Sequence, residues 1–146
     1  MRDLPRKLTV DELSELFEGR TRFVELLAER EDPLGSAPEV LSGMGEEEKL
    51  EALNAHPAIG ARTGLSARSA AEQGSDADPS VLTELAYLNQ VYEEKFGFRF
   101  VVFVNRRSRA ELLPVLQERL ARTREEELET GLEELVRIAE DRWRRG

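Results

Sequence analysis

The sequence has no cysteine and one histidine, His56, in 146 residues. Without thiols there is no disulfide framework, no iron–sulfur cluster and no cysteine nucleophile. One histidine cannot build a His-rich zinc site, so a metal would have to rest on carboxylates, and none is expected. Any imidazole catalysis therefore falls on His56. An excess of positive charge is also lacking. Thirty acidic side chains against 21 basic ones give a net charge of −9. That balance argues against a nucleic-acid partner, because phosphate neutralisation needs clustered Lys and Arg. No apolar run approaches a signal peptide or a membrane span, so the chain reads as cytoplasmic with no membrane partner. Arginine outnumbers lysine 18 to 3, but both serve on solvated helix faces and the bias says little about function.

What is present is enough for a core. Hydrophobic residues make up 40% of the chain, above the disordered range. The length predicts a single domain over residues 1–146, because a chain of this size buries sufficient surface without staples. Helix starts are the clearest local signals. Thr9–Glu12, Ser108–Glu111 and Thr123–Glu126 each fit a capping box, in which hydroxyl and carboxylate satisfy orphan backbone N–H groups. Asp78-Pro79 is a further start, with Asp at the N-cap and Pro at the first helical position. Apolar residues then recur at three and four. Val81, Leu82, Leu85, Leu88, Val91 and Tyr92 form one stripe. Leu112, Leu113, Leu116 and Leu120 form a second, and Leu128, Leu132, Leu135, Ile138 and Ala139 a third. Pro114, in the second turn of its helix, predicts a bend. Shorter helices are expected over 10–18, 21–30 and 46–54. The acidic runs Glu46–Glu48 and Glu125–Glu127 are expected on solvated faces.

Two stretches break this pattern. Residues 56–66 carry Pro57, Gly60 and Gly64, which interrupt helical periodicity. Phe96–Val104 is aromatic and β-branched and reads locally as a strand, but no second strand is evident to pair with it, and a lone strand is not stable. The expectation is an all-α bundle of about seven to eight helices with one buried extended Phe-rich segment.

Three groups of residues stand out chemically, each with a plainer reading beside it. His56-Pro57 lies at a helix-to-loop corner, since proline biases the preceding residue away from the α region. A histidine there can simply stabilise the helix dipole. Ser69, Glu72 and Gln73 would share one face of a short helical turn and offer a hydroxyl, an acid or base and an amide. The same residues also fit a solvated polar turn. Asn89, Tyr92 and Phe96 share a helix face, Gly97 looks like a C-cap, and Phe98, Phe100, Val102 and Val104 alternate with Arg99, Val101 and Phe103. Clustered phenylalanines are usually core. Arg106 and Arg107 follow, and either guanidinium fork suits a carboxylate or a solvated surface.

Jointly, HPAIG, SAAEQ and LNQVYEEKFGFRF, followed by an arginine and a capped helix, are distinctive. In this order and spacing the chain resembles the 2-oxo-4-hydroxy-4-carboxy-5-ureidoimidazoline (OHCU) decarboxylase family over residues 8–143. The resemblance implies cofactor-free decarboxylation of OHCU to (S)-allantoin and CO2 in urate degradation, by a homodimer acting on a small anionic substrate. It also implies roles for particular residues. His56 and Glu72 are the catalytic pair. Pro57, Ser69 and Gln73 line the site, together with Phe100, Val101 and Phe103 of the segment that closes over the substrate ring. Arg107 contacts the substrate, with Arg106 as the neighbouring alternative. Two departures from the family pattern bear on substrate identity. Ala58-Ile59 stands where an acidic residue and Leu are frequent, and Arg99 stands where Pro or an aliphatic residue is usual. If Arg99 points outward, the second departure is harmless. The alternatives are a decarboxylase of a related ureido or imidazoline acid, and a non-catalytic helical interaction module. The charge of −9 adds a condition: an anionic substrate needs a locally positive pocket, hence an arginine in it.

Overall fold

A computed structural model of the protein describes residues 7–58 and 78–145. Among the described residues there are seven helices and no strand: α1 (Val10–Phe17), α2 (Arg22–Ala28), α3 (Ala37–Ser42), α4 (Glu46–Asn54), α5 (Pro79–Phe96), α6 (Arg109–Leu120) and α7 (Arg124–Arg145). The all-α expectation holds. The chain forms two compact units, one of Met1–His56 with Leu132–Gly146 and one of Pro57–Gly131.

In the first unit the expected capping box opens α1. The Glu12 N–H donates to Thr9 Oγ1 and the Thr9 N–H to Glu12 Oε1, both at 3.1 Å. The helix stops at Glu18, which adopts the left-handed conformation at φ 67°. For a residue with a Cβ that conformation costs about 1–2 kcal/mol. Arg142, 1% exposed, holds this corner. Its Nη1 donates to the Leu16 carbonyl at 3.0 Å and lies 2.9 Å from the Glu18 carboxylate. Thr21 then caps α2, whose Phe23 meets Phe17 edge to face at 5.2 Å. The helix α3 was not expected from the pattern. It is six residues long, begins Ala37-Pro38 and is flanked by glycines, too short for a helical repeat to emerge.

The placement of α4 decides where His56 stands. Ala52 and Leu53 bury the apolar side of α4. The Glu51 carboxylate accepts the Arg22 N–H at 2.8 Å, which ties α4 to the start of α2. Glycine at position 19 permits close approach at the far end, because an added Cβ would stand 3.3 Å from Ala55 Cβ.

In the second unit Asp78 accepts the Ser80 N–H at 2.9 Å and caps α5, with Pro79 in its first turn as expected. Helices α5 and α6 pack together. Leu85, Leu88, Tyr92 and Phe96 form the buried side of α5, Val81, Leu82 and Val91 being half-buried. Gly97 ends the helix at φ 81°, its N–H donating to the Glu93 carbonyl at 2.9 Å. Residues 99–104 then run without helical or sheet pairing as the buried extended segment. The Ser108 box restarts the helix, and α6 continues through the exposed Pro114.

One expectation fails in this unit. Glu125 and Glu126 are exposed, but Glu127 is 0% exposed. Its carboxylate has three donors around it, so the run of three glutamates is solvated on two positions only.

The capping carboxylates give the fold a pH dependence. Hydrogen bonds from the N-cap residues, Ser108 and Thr123, hold Glu111 and Glu126 below the ordinary carboxylate range. A lowered folded-state pKa means stability that is present above the unfolded value and lost as pH falls through the folded one. Urea unfolding between about pH 5 and 3 should therefore show a shallower loss of stability for Glu111→Gln/Glu126→Gln than for wild type. Parallel curves for the two proteins would contradict this origin.

Candidate active site

His56 follows the end of α4 directly. Ala55, the C-cap residue, stays in the right-handed region, and the His56 N–H still donates to the Leu53 carbonyl at 3.2 Å. Pro57, which lacks an N–H, comes next. His56 is only 8% exposed. Pro57 and Ala58 are half-buried.

The Phe-rich segment is a packed element. Phe98, Phe100, Val101, Val102 and Val104 are buried, while Arg99 and Phe103 are half-buried. Phe100 and Val101 are each 1% exposed, and Phe103 keeps more surface. Arg99 lies 3.8 Å from Glu93 on a partly exposed face. After Val104 the chain reverses through Asn105 and Arg106, at φ 48° and 65°, closed by the Arg107 N–H on the Val104 carbonyl at 3.0 Å. Two positive φ values within such a bond describe a type I′ turn. The Arg107 side chain folds back onto this turn. Nε donates to the Val104 carbonyl at 3.1 Å and Nη2 to the Phe103 carbonyl at 2.7 Å. Arg106 is exposed at the tip.

A buried ionic cluster lies behind the segment. Glu127 Oε1 accepts from the Tyr92 hydroxyl and from Arg119 Nε, both at 2.7 Å, and Oε2 accepts from Arg122 Nη1 at 2.9 Å. Arg119 Nη1 donates to the Val101 carbonyl at 2.7 Å, and its guanidinium lies 4.5 Å from the Phe100 ring centroid. Tyr92 is the centre of an aromatic cluster, with Phe96, Phe100 and Phe98 at 4.6, 5.2 and 6.0 Å. Burial, followed by the hydrogen bond to Glu127, pushes the Tyr92 hydroxyl far above its ordinary value despite the Arg119 charge. The phenol therefore stays protonated and donates.

A family model described as OHCU decarboxylase matches residues 2–144. The chain belongs to the OHCU decarboxylase family. It is 32% identical over 143 residues to the 2-oxo-4-hydroxy-4-carboxy-5-ureidoimidazoline decarboxylase of Haloferax volcanii, covering 90% of this chain and 84% of that protein. It is 37% identical over 100 residues to a uric acid degradation bifunctional protein of Arabidopsis thaliana, covering 62% of this chain and 31% of the longer relative. A crystal structure of OHCU decarboxylase in the presence of (S)-allantoin superposes with a TM-score of 0.74 at 27% identity, covering 90% of this chain and 94% of that one. A crystal structure of (S)-allantoin synthase shares the fold at 22% identity, with a TM-score of 0.69 over 91% of this chain and 47% of that one.

His56 belongs to the first unit. Pro57, Phe100, Val101, Phe103 and Arg107 belong to the second, the last four along one continuous stretch. Ser69, Glu72 and Gln73 lie outside the described residues. Arg119, Glu127 and Arg142 were not singled out. Each stands in the register of an apolar stripe, at the spacing where a leucine would be expected. A charge in that register was the available signal.

Two measurements probe the cluster. Removing one partner of a buried ion pair leaves the other uncompensated, so Glu127→Ala should lower urea-unfolding stability by about 3–5 kcal/mol. Glu125→Ala, on the exposed face, should leave the midpoint nearly unchanged; equal effects would contradict the burial of Glu127. The second measurement uses Tyr87→Phe, which leaves Tyr92 as the one tyrosine. A raised folded pKa means stability present below the unfolded value, about 10, and lost as pH rises above it. Phenolate absorbance should therefore stay flat through pH 10 and appear only with loss of the helical signal. Reversible ionisation near 10 in the folded protein would contradict the geometry.

Proposed function

We propose that this protein decarboxylates OHCU to (S)-allantoin and CO2 in urate degradation, without a cofactor. The observation that carries the reading is a buried histidine at the His-Pro corner of a chain that matches the family along its length. The substrate's chemistry explains why no cofactor is needed. When the C–C bond to the carboxylate breaks, the adjacent ring imine and carbonyl accept the electron pair. The protein then has to hold the carboxylate out of the ring plane, exclude water and allow protonation on one face.

In this reading His56 removes or orients the proton of the ring hydroxyl, a task suited to an imidazole, whose charge changes nearest neutral pH. Glu72 supports the opposite side and influences protonation of the resulting carbanion. Ser69 and Gln73 hydrogen-bond the ureido or ring amide groups. Pro57, Phe100, Val101 and Phe103 exclude water, and Arg107 pairs with an anionic oxygen. Two of the five N–H groups of Arg107 are spent on carbonyls of its own turn, and Nη1 and the second Nη2 proton can serve the substrate. Arg142 supplies a second reading for that role. It is a buried cation in the same unit as His56. The protein acts as a cytoplasmic homodimer.

The alternative of a different ureido or imidazoline acid loses one of its two motives, because Arg99 pairs with Glu93 on a partly exposed face. A non-catalytic module is not favoured for a member of a decarboxylase family. The test follows optically active allantoin formed from freshly generated OHCU, since spontaneous decay gives a racemate. His56→Asn should lose roughly 10²–10⁴-fold in rate with an unchanged helical CD spectrum. Near-normal, single-enantiomer turnover by that variant would sink the assignment. A KM rise in Arg107→Ala supports Arg107 as the anion partner, whereas the same rise in Arg142→Lys with Arg107→Ala silent transfers the role to Arg142.

A further inference from the structure

We infer that Arg119 is a positioning residue for this reaction, setting the backbone of Phe100 and Val101 through contacts on the side of the segment buried against α6. The inference rests on the functional reading above, in which this segment closes over the substrate. It follows from three observations. Arg119 is 5% exposed and its ionic partner Glu127 is 0% exposed. Burying such a pair is a weak source of stability, because the desolvation cost competes with the Coulombic gain. The same guanidinium reaches beyond its carboxylate to the Val101 carbonyl at 2.7 Å and stacks over Phe100 at 4.5 Å. The segment it grips has no helical or sheet pairing of its own, so the hydrogen bonds that fix its backbone have to come from elsewhere. An apolar side chain at position 119 could fill the space. It could not fix the direction of the Val101 peptide.

The arginine is suited to this by its planar fork. One edge is held by Glu127 through Nε, and Nη1 is thereby aimed at the carbonyl. Tyr92 completes the frame by donating to the same Glu127 oxygen while its ring lies 5.2 Å from that of Phe100. Side chain and main chain of one residue pair are thus held from one buried carboxylate. Arg119 touches no reacting atom. Its effect is on the placement of residues 100–101, and a misplacement of about 1 Å near reacting groups can cost roughly 100-fold in rate.

The test separates positioning from stability with two variants of the full chain. Arg119→Met alone leaves Glu127 buried with a donor missing and should be destabilised. Arg119→Met/Glu127→Leu/Tyr92→Phe replaces the cluster with apolar side chains of similar volume, a change that commonly restores stability. We expect the triple variant to regain the wild-type urea midpoint, to show raised ¹⁵N-relaxation mobility over residues 99–104, and to keep a kcat lowered by roughly 10–100-fold with reduced enantiomeric excess. A triple variant with a wild-type midpoint, kcat, enantiomeric excess and ordered segment overturns the inference and makes the cluster packing alone. If the triple variant does not fold, Arg119→Lys carries the same readouts, since a lysine can pair with Glu127 but cannot also hold the carbonyl with a planar fork. If the wild-type protein gives no stereospecific allantoin, the functional reading fails by itself. The relaxation data then decide this inference: a mobile segment supports it and a rigid one ends it.

Discussion

A carboxylate with no solvent access must be compensated by hydrogen bonds or it will not remain charged inside a protein. For Glu127 the compensation comes from Tyr92, Arg119 and Arg122, on α5, on α6 and just after α6. Each donor is also committed elsewhere. Tyr92 centres the aromatic cluster, Arg119 holds the Val101 carbonyl, and Arg122 Nη1 reaches Thr130 Oγ1 at 2.9 Å. Satisfying one buried charge therefore fixes how α5, α6 and the first turns of α7 meet. The extended segment is held in the same frame without a sheet. This resolves why a strand-like sequence is stable without a partner strand: its backbone is bonded by side chains, and its phenylalanines fill the space beneath them.

The helices were largely legible in the sequence because their signals are local. Thr9, Ser108 and Thr123 each stand three residues before a glutamate, and all three reciprocal caps form. Gly97 reads as a C-cap because a left-handed residue is needed where α5 ends, and glycine adopts it without penalty. What was not legible is non-local. Leu120 was expected on the buried stripe of α6, but Arg119 takes the fully buried place and Leu120 is half-buried. Glu127, eight residues before Leu135, and Arg142, four after Ile138, continue the stripe of those two residues in opposite directions. Read by composition alone they are solvated charges. Only the presence of donors and acceptors from distant helices makes them core residues.

The site divides in the same way. The corner at His56 is readable because Pro57 biases the residue before it away from the α region, and the structure adds that His56 is buried. The question posed by Arg99 needed coordinates, since its direction depends on where Glu93 stands one turn before the end of α5. Arg107 is the substrate contact that the family resemblance implies. Its fork turns out to close its own turn as well, because Asn105 and Arg106 both occupy the left-handed region and the reversal needs holding.

His56 has one more consequence, which concerns observation rather than chemistry. As the chain's only imidazole, it is the sole possible origin of any histidine-selective signal from the protein. An imidazole C–H resonance or the absorbance change on carbethoxylation reports a single atom group and needs no assignment. Its ionisation, exposure and response to a bound ligand can therefore be followed in the unaltered protein, at natural sequence, as directly as if a label had been placed there.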